Sequence, residues 1–303
     1  MARDWESTFS GWTGRASDSE QTRYENTRNA IREALRASWL DKYSFSVYAK
    51  GSYPNFTNVV RDSDVDIAVE LSTFSGNTFT HSAEGLTIQD LGLIPYTGDA
   101  TLSEFKNDVE LALISHFGAG PVDRGNKAIH IRETTRGLKA DVVPCVEHKI
   151  WTSRTHKNVG IRLLDDSNPS KQIVNYPKQH LDEGVRKNDR CSRRYKRVVR
   201  ILKHLENEMV DRGEIGEVPS FLIESAVWNV PDNKLTDPVT WTGRTQGALA
   251  HIFNETRSDA CVTSDDWLEA NGIKYLFHAQ QPWTWRDLHA FADAAWNYVG
   301  FDG

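Results

Sequence analysis

Asp62-Ser63-Asp64-Val65-Asp66-Ile67-Ala68-Val69-Glu70-Leu71 alternates acidic with apolar residues. In a strand, successive side chains point to opposite faces. Val65, Ile67, Val69 and Leu71 can then enter a core while Asp64 and Asp66 project together from the other face, about 7 Å apart. Close carboxylates repel unless a cation lies between them, and hard oxygen ligands of this kind suit Mg²⁺ or Mn²⁺. The chemistry that uses such a pair is phosphoryl transfer with two metal ions roughly 4 Å apart, one activating a hydroxyl and one stabilising the leaving pyrophosphate. A third carboxylate completes the set, and Asp141 in Leu138-Lys139-Ala140-Asp141-Val142-Val143 is a single acid entering an apolar strand. An isolated Asp-x-Asp also reads as the polar face of a strand. Gly51-Ser52, ahead of it, favours the phosphate site: glycine lets backbone amides approach closely, and the serine adds a hydroxyl for triphosphate oxygens.

Several elements must position these residues. Ser17-x-x-Glu20 has capping-box spacing and opens a helix over 17–38, with Tyr24, Thr27, Ile31, Ala34 and Leu35 on one face. Phe45, Val47 and Ala49 alternate as a half-buried strand, the chain turns at Gly51 to Asn55, and a second strand runs from Asp64 to Leu71. Thr101-x-x-Glu104 starts another helix ending near His116, before Gly118. Ala128 to Arg132 and Ala140 to Glu147 read as strands. Pro144 lacks an amide donor, so a bulge, an edge or an early end is expected there. Beyond about residue 170 the periodicity becomes helical: Tyr195 to Met209 up to Gly213, Phe221 to Trp228, and Trp285 to Tyr298. Residues 1–170 are expected to form a mixed α/β core with a long N-terminal helix, and 171–303 a mainly helical lobe packed across a cleft.

Bulk properties narrow the function without naming it. A net charge of −6 argues against broad nucleic-acid binding, which normally needs an excess of Lys and Arg. Cys145, Cys191 and Cys261 are odd in number and have no CxxC spacing, so neither a disulfide framework nor a zinc site is indicated, and the cytoplasm fits best. The N-terminus has no apolar signal core, and no run approaches the ~18 apolar residues of a membrane span. No membrane association is expected.

Gly51-Ser52, Asp64-x-Asp66 and Asp141 together resemble the DNA polymerase β-like nucleotidyltransferases. The strings GSYPNFTNVVRDSDVDI, NYPKQHLDEGV, RRYKRVVRILKHLENEM and PSFLIESAVWNVP are similar to those of the bacterial cGAS/DncV-like nucleotidyltransferases, the CD-NTases of anti-phage CBASS systems, in the CdnE-type branch. This resemblance covers nearly the whole chain. It implies an α+β fold, with a polymerase β-like nucleotidyltransferase core, a helical second lobe and an active site in the cleft between them. It also implies synthesis of a cyclic di- or trinucleotide messenger from nucleoside triphosphates with two Mg²⁺ ions (Mn²⁺ is possible), and a downstream effector that senses the product.

By that resemblance Asp64 and Asp66 bind both metals, Asp141 completes the site that deprotonates the 3′-hydroxyl, and Gly51 and Ser52 hold the donor triphosphate. Lys203 matches a helical-lobe lysine that grips triphosphate oxygens, and an ammonium on a flexible stem suits that task; the alternative is a solvated face of a helix containing Arg193, Arg194, Lys196, Arg197 and Arg200. Ser220 matches a serine at the start of the next helix, where it could equally be an N-cap. Asn175 occupies a position that bears on base choice. An amide can pair with the O4 and N3–H edge of uracil, so UTP, with or without ATP, is the expected substrate and cyclic UMP-AMP or cyclic di-UMP the expected product; otherwise Asn175 shapes a turn before Tyr176-Pro177. Tyr53 is a candidate for stacking on a base. His148, His156 and His180 are read as structural, because metal-assisted transfer needs no histidine base. Two alternatives stand beside the cyclase: a terminal nucleotidyltransferase acting on RNA or protein, and an inactive nucleotide sensor.

Overall fold

The computed structural model describes residues 3–15, 17–59, 64–132, 139–258 and 267–301; Cys261 lies outside them. Helices α1 (Trp5–Trp12) and α2 (Asp18–Ala34) are each opened by a side chain accepting a first-turn amide, from Asp4 and from Ser17, and Glu20 completes the capping box. α2 stops short of the expected residue 38, and Leu40 reaches the core from a separate 3₁₀ turn, Ser38–Leu40. Strand β1 (Phe45–Ala49), the single-turn α3 (Ser52–Asn55) and β2 (Val65–Phe79) follow. The Thr101–Glu104 capping box opens α4 (Leu102–Phe117). Strands β3 (Val122–Arg124), β4 (Ile129–Ile131), β5 (Ala140–Trp151), β6 (Lys157–Leu163) and β7 (Ile173–Asn175) come next. Helices α5 (Pro177–Arg190), α6 (Tyr195–Asp211), α7 (Ser220–Asn229), α8 (Asp232–Thr236), α9 (Trp241–Glu255) and α10 (Trp285–Val299) complete the chain. Among the described residues no helix is long and apolar enough to cross a membrane.

Two compact units share the sequence in alternation. One comprises Ser17–Pro54 and Ser63–Lys178; the other comprises Met1–Ala16, Asn55–Asp62 and Gln179–Gly303. A single cut near residue 170 therefore does not describe them. Phe9 is buried in the helical core with Trp5 and Trp12 packed against it, and the Arg200 guanidinium donates to the carbonyls of both Thr13 and Phe56. In this helical unit the periodic apolar residues of α6, Val198, Leu202 and Leu205, meet Leu222 and Ile223 of α7, Leu249 of α9 and Phe291 of α10.

In the mixed unit the strands lie in the order β1-β2-β5-β4-β3, and β6 pairs with β5 and carries β7 on its other side. Apolar residues of α2 and α4, including Ile31, Phe105, Val109 and Leu113, pack with Val65, Ile67, Val69 and Leu71 of β2. Covering that face directs Asp64 and Asp66 to the opposite one. β2 and β5 pair in parallel, with Asp66 opposite Asp141. β5 does not end or bulge at Pro144. Its second neighbour changes there, from β4 along 140–142 to β6 along 145–151, so Pro144 falls where no strand on that side needs its amide. The irregularity lies in β2, where register shifts between Leu71 and Gly76.

The turn after β1 folds back onto β2, with the Lys50 amide donating to the Asp66 carbonyl at 2.9 Å. Gly51 has φ +76°, and a Cβ there would come within 2.4 Å of Asp66 Oδ2. Deeper in the sheet, His148 is buried with Nε2 3.0 Å from the Thr78 hydroxyl, and burial, reinforced by Arg162, pushes its ring down to about 4.

Two outcomes follow from these positions. Gly51→Ala should lower stability to chemical denaturation by roughly 1–3 kcal/mol, because alanine disfavours this φ and its methyl displaces a carboxylate; an unchanged midpoint would refute the steric argument. His148 is neutral in the fold and titrates near 6.5 when unfolded, so its contribution is intact above that pH. As pH falls from about 6.5 to about 4 the unfolded chain alone takes up the proton, at a cost of roughly 2–3 kcal/mol. His148→Gln should flatten that part of the stability curve, and superimposable wild-type and variant slopes would count against it.

Candidate active site

Parallel register puts Asp66 and Asp141 side by side on adjacent strands about 5 Å apart, with Asp64 two residues before Asp66 on the same face. Asp64 is exposed, and the side chains of Asp66 and Asp141 are 37% and 34% exposed. Two unit charges at such a spacing near a protein surface repel by roughly 3 kcal/mol, and each carboxylate has a neighbouring balance. Lys50 Nζ lies 3.0 Å from Asp66 Oδ1, and His130 Nδ1, directly across the β4–β5 ladder, lies 2.6 Å from Asp141 Oδ1. The donor set, three carboxylates on a rigid sheet, fits hard divalent cations. As placed, the side chains turn to these local partners, and among the described residues no three His, Cys, Asp or Glu side chains converge as a ligand cluster. Holding a cation therefore requires the Lys50 and His130 contacts to give way.

Gly51 abuts Asp66, and Ser52 begins α3 beside it. Tyr53 is not a base-stacking surface: it is buried, its ring stacked on Tyr24 at 5.1 Å, because the apolar face of α2 packs there. Asn175 ends β7 rather than shaping a turn. Its register partner is Ile161, which in turn pairs with Glu147, so Asn175 shares the sheet face of Asp141 and lies towards the far end of β5. Along that end is a cavity of about 900 Å³ lined by Glu70, Phe74, Asn77, Tyr96, Glu147 and Lys149. Glu70 accepts the Tyr48 hydroxyl at 2.5 Å, and burial, then this bond, raises the tyrosine above its ordinary range.

The helical unit holds the other two candidates. Lys203 is only 1% exposed, which removes the solvated-face alternative; Lys196 and Arg200 of the same helix are also buried. Lys203 Nζ lies 3.8 Å from Glu224 Oε2, which accepts the Thr57 hydroxyl at 2.7 Å, and His180 Nε2 lies 2.8 Å from Glu224 Oε1. Burial alone would raise the Glu224 carboxyl, but His180, Lys203 and Thr57 together hold it well below the usual carboxylate range. Ser220 is the first residue inside α7; the N-cap position is Pro219, so the capping alternative fails by one residue. Of the remaining histidines, His148 is interior and His156 lies in the turn it shares with Ser153. Burial raises both described thiols, Cys191 to about 11.

Lys50, His130 and Glu224 were not among the expected site residues. His130 alternates into the right face within Ala128–Arg132, a signal that becomes readable only once β4 is known to pair with β5. Glu224 is the one charged residue of the mainly apolar α7, a signal that could have marked it, but its partners lie in other pieces of chain.

The profile of the cGAS/DncV-like nucleotidyltransferase C-terminal helical domain matches residues 182–300. The chain is 33% identical to a cyclic dipyrimidine nucleotide synthase CdnE of Cecembia lonarensis, over 99% of this chain and 100% of that one. It is 34% identical to a protein of the same description from Legionella pneumophila, over 99% of each. Among solved structures, a Rhodothermus marinus CdnE c-UMP-AMP synthase with Apcpp and Upnpp superposes with a TM-score of 0.79 at 29% identity, covering 97% of each chain. An Elizabethkingia meningoseptica CdnE cyclic dinucleotide synthase with GTP and Apcpp gives 0.79 at 30% identity, over 97% of this chain and 98% of that one. The paired acids on one sheet face and the end-to-end similarity lead to one conclusion: the chain belongs to the cGAS/DncV-like nucleotidyltransferases, as a member of the CdnE cyclic nucleotide synthases.

Proposed function

We propose that this enzyme joins two nucleoside triphosphates into a uridine-containing cyclic dinucleotide, cyclic UMP-AMP or cyclic di-UMP, that signals to a separate effector in anti-phage defence. The observation that carries the reading is the side-by-side register of Asp66 and Asp141 with Asp64 beside them. The base choice is supported by relatives described as dipyrimidine and UMP-AMP synthases and by Asn175 on the carboxylate face.

Divalent cations, two Mg²⁺ ions in this reading, would neutralise phosphate charge and activate a 3′-hydroxyl when held by Asp64, Asp66 and Asp141. Gly51 and Ser52 present a backbone amide and a hydroxyl to the donor triphosphate. Lys203 supplies a positive charge to its oxygens, and Ser220 a further hydroxyl. His130 and Lys50 occupy Asp141 and Asp66 until a cation is held and then give way to it. Asn175 pairs with the uracil edge. Catalysis is then mainly positioning and charge neutralisation, performed twice, with pyrophosphate leaving each time.

Labelled UTP, ATP, CTP and GTP with Mg²⁺ test this directly. A phosphatase-resistant small product containing UMP is expected; a labelled polymer or labelled protein would point to a terminal transferase, and no turnover to a sensor. Asp64→Asn and Asp66→Asn should each cut product by at least about a thousandfold while melting as the wild type does, and cyclic product persisting in either variant would end the assignment. Asn175→Ser should lower UMP incorporation relative to purine by about tenfold or more, since a lost base-edge hydrogen bond carries that order of discrimination; an unchanged ratio in a mixed-nucleotide reaction would remove Asn175 from base choice.

A further inference from the structure

Glu224 is 2% exposed and lies four residues after Ser220, on the same side of α7. Three polar side chains from three separate pieces of chain close on it: Thr57 from the segment Asn55–Asp62, His180 from α5 and Lys203 from α6. A carboxylate placed only to join helices could be replaced by packed apolar side chains at little cost in stability. What it holds is therefore informative. Thr57 lies between the Gly51-Ser52 turn and Asp64 in the sequence. Its neighbour Phe56 has φ +54°, a conformation that side-chain-bearing residues adopt only where the surroundings impose it. The surroundings that do so are visible: Arg200 donates to the Phe56 carbonyl, the Arg15 guanidinium lies 4.7 Å from the Phe56 ring centre, and Thr57 is bonded to Glu224. The strained residue thus sits in the short link between both phosphate-site motifs.

We propose that Glu224 is a positioning residue: it fixes the Phe56-Thr57 link, which follows directly on the single turn α3 that begins at Ser52, and it also fixes the ammonium of Lys203. The assignment rests on reading Lys203 as a triphosphate ligand. Two tasks are joined in one buried group. The Thr57 bond holds the strained residue that follows α3, whose first residue is the Ser52 of the donor turn, and the Lys203 contact sets where a triphosphate is gripped.

Steady-state kinetics of the full-length protein, with pyrophosphate release and cyclic product both measured, tests this. Thr57→Val keeps the shape of the side chain and removes only the hydroxyl. It should fold and lower kcat by about tenfold with little change in KM, while Thr57→Ser, which retains the hydroxyl, stays near wild type. Glu224→Gln should raise KM for the donor triphosphate by about tenfold as well as lowering kcat. Combined with Lys203→Met it should raise KM no further than Lys203→Met alone, the signature of two groups acting as one. Wild-type kcat and KM in both Thr57→Val and Glu224→Gln, whatever their melting temperatures, would overturn the proposal and leave the synthase reading standing. Should Glu224→Gln fail to fold, the Thr57→Val and Thr57→Ser pair decides it. Wild-type protein that forms no product, or an Asp66→Asn variant that does, would overturn the synthase reading and this inference together.

Discussion

Parallel strands cannot be joined by a hairpin, so pairing β2 with β5 obliges the chain between them to cross over the sheet, and α4 lies in that crossover. Much of the mixed unit depends on that pairing. The crossover helix buries Phe105, Val109 and Leu113 against Ile67 and Val69 and so chooses which face of β2 is interior. A slip of one residue would move Asp66 into this core and Ile67 out of it. Apolar burial, at roughly 1.5–3 kcal/mol for each large side chain, therefore sets the position of the acids. Their mutual repulsion is of similar size to one such contribution and cannot compete with the sum.

The same register brings hydrogen-bonding partners to the acids. Lys50 reaches Asp66 from the end of β1, and His130 reaches Asp141 from β4. Both contacts belong to strand neighbours, so they form wherever the sheet forms. They make the acidic face tolerable to the fold while leaving the carboxylates about one-third exposed, a compromise between folding and chemistry.

How much of this was legible in the sequence depended on the range of the interactions. Capping boxes at Ser17 and Thr101 are local and appear as read, while the alternation through Asp64 to Leu71 holds for the acids at its start and not further on, where Ala68 and Glu70 are buried too. The match of Asp141 to Asp66 needed a non-local strand pairing, and the family resemblance rather than periodicity supplied it. Glycines hid other elements. β6 contains Gly160, where a Cβ would meet the Asn175 carbonyl at 2.5 Å, and α9 contains Gly243 and Gly247, which weaken a helical pattern. Tyr53 was misread because an aromatic beside a motif looks the same whether it faces a ligand or, as here, Tyr24. The Glu224 cluster joins residues from four pieces of chain, and no window of sequence contains it.

The helical unit is assembled from three stretches of sequence, and the backbone passes from one unit to the other four times. Phe9 and the Phe56 carbonyl serve its interior although both are encoded ahead of the strands that carry the acids. Recombination between relatives at a single point near the middle of the gene would therefore exchange helices α5 to α10 but leave behind the N-terminal aromatics and the Phe56-Thr57 link that belong to the same unit. Each half of such a hybrid would carry fragments fitted to another protein's core. Lineages of these enzymes should then diversify by point substitution or by whole-gene transfer more readily than by trading their two units as modules.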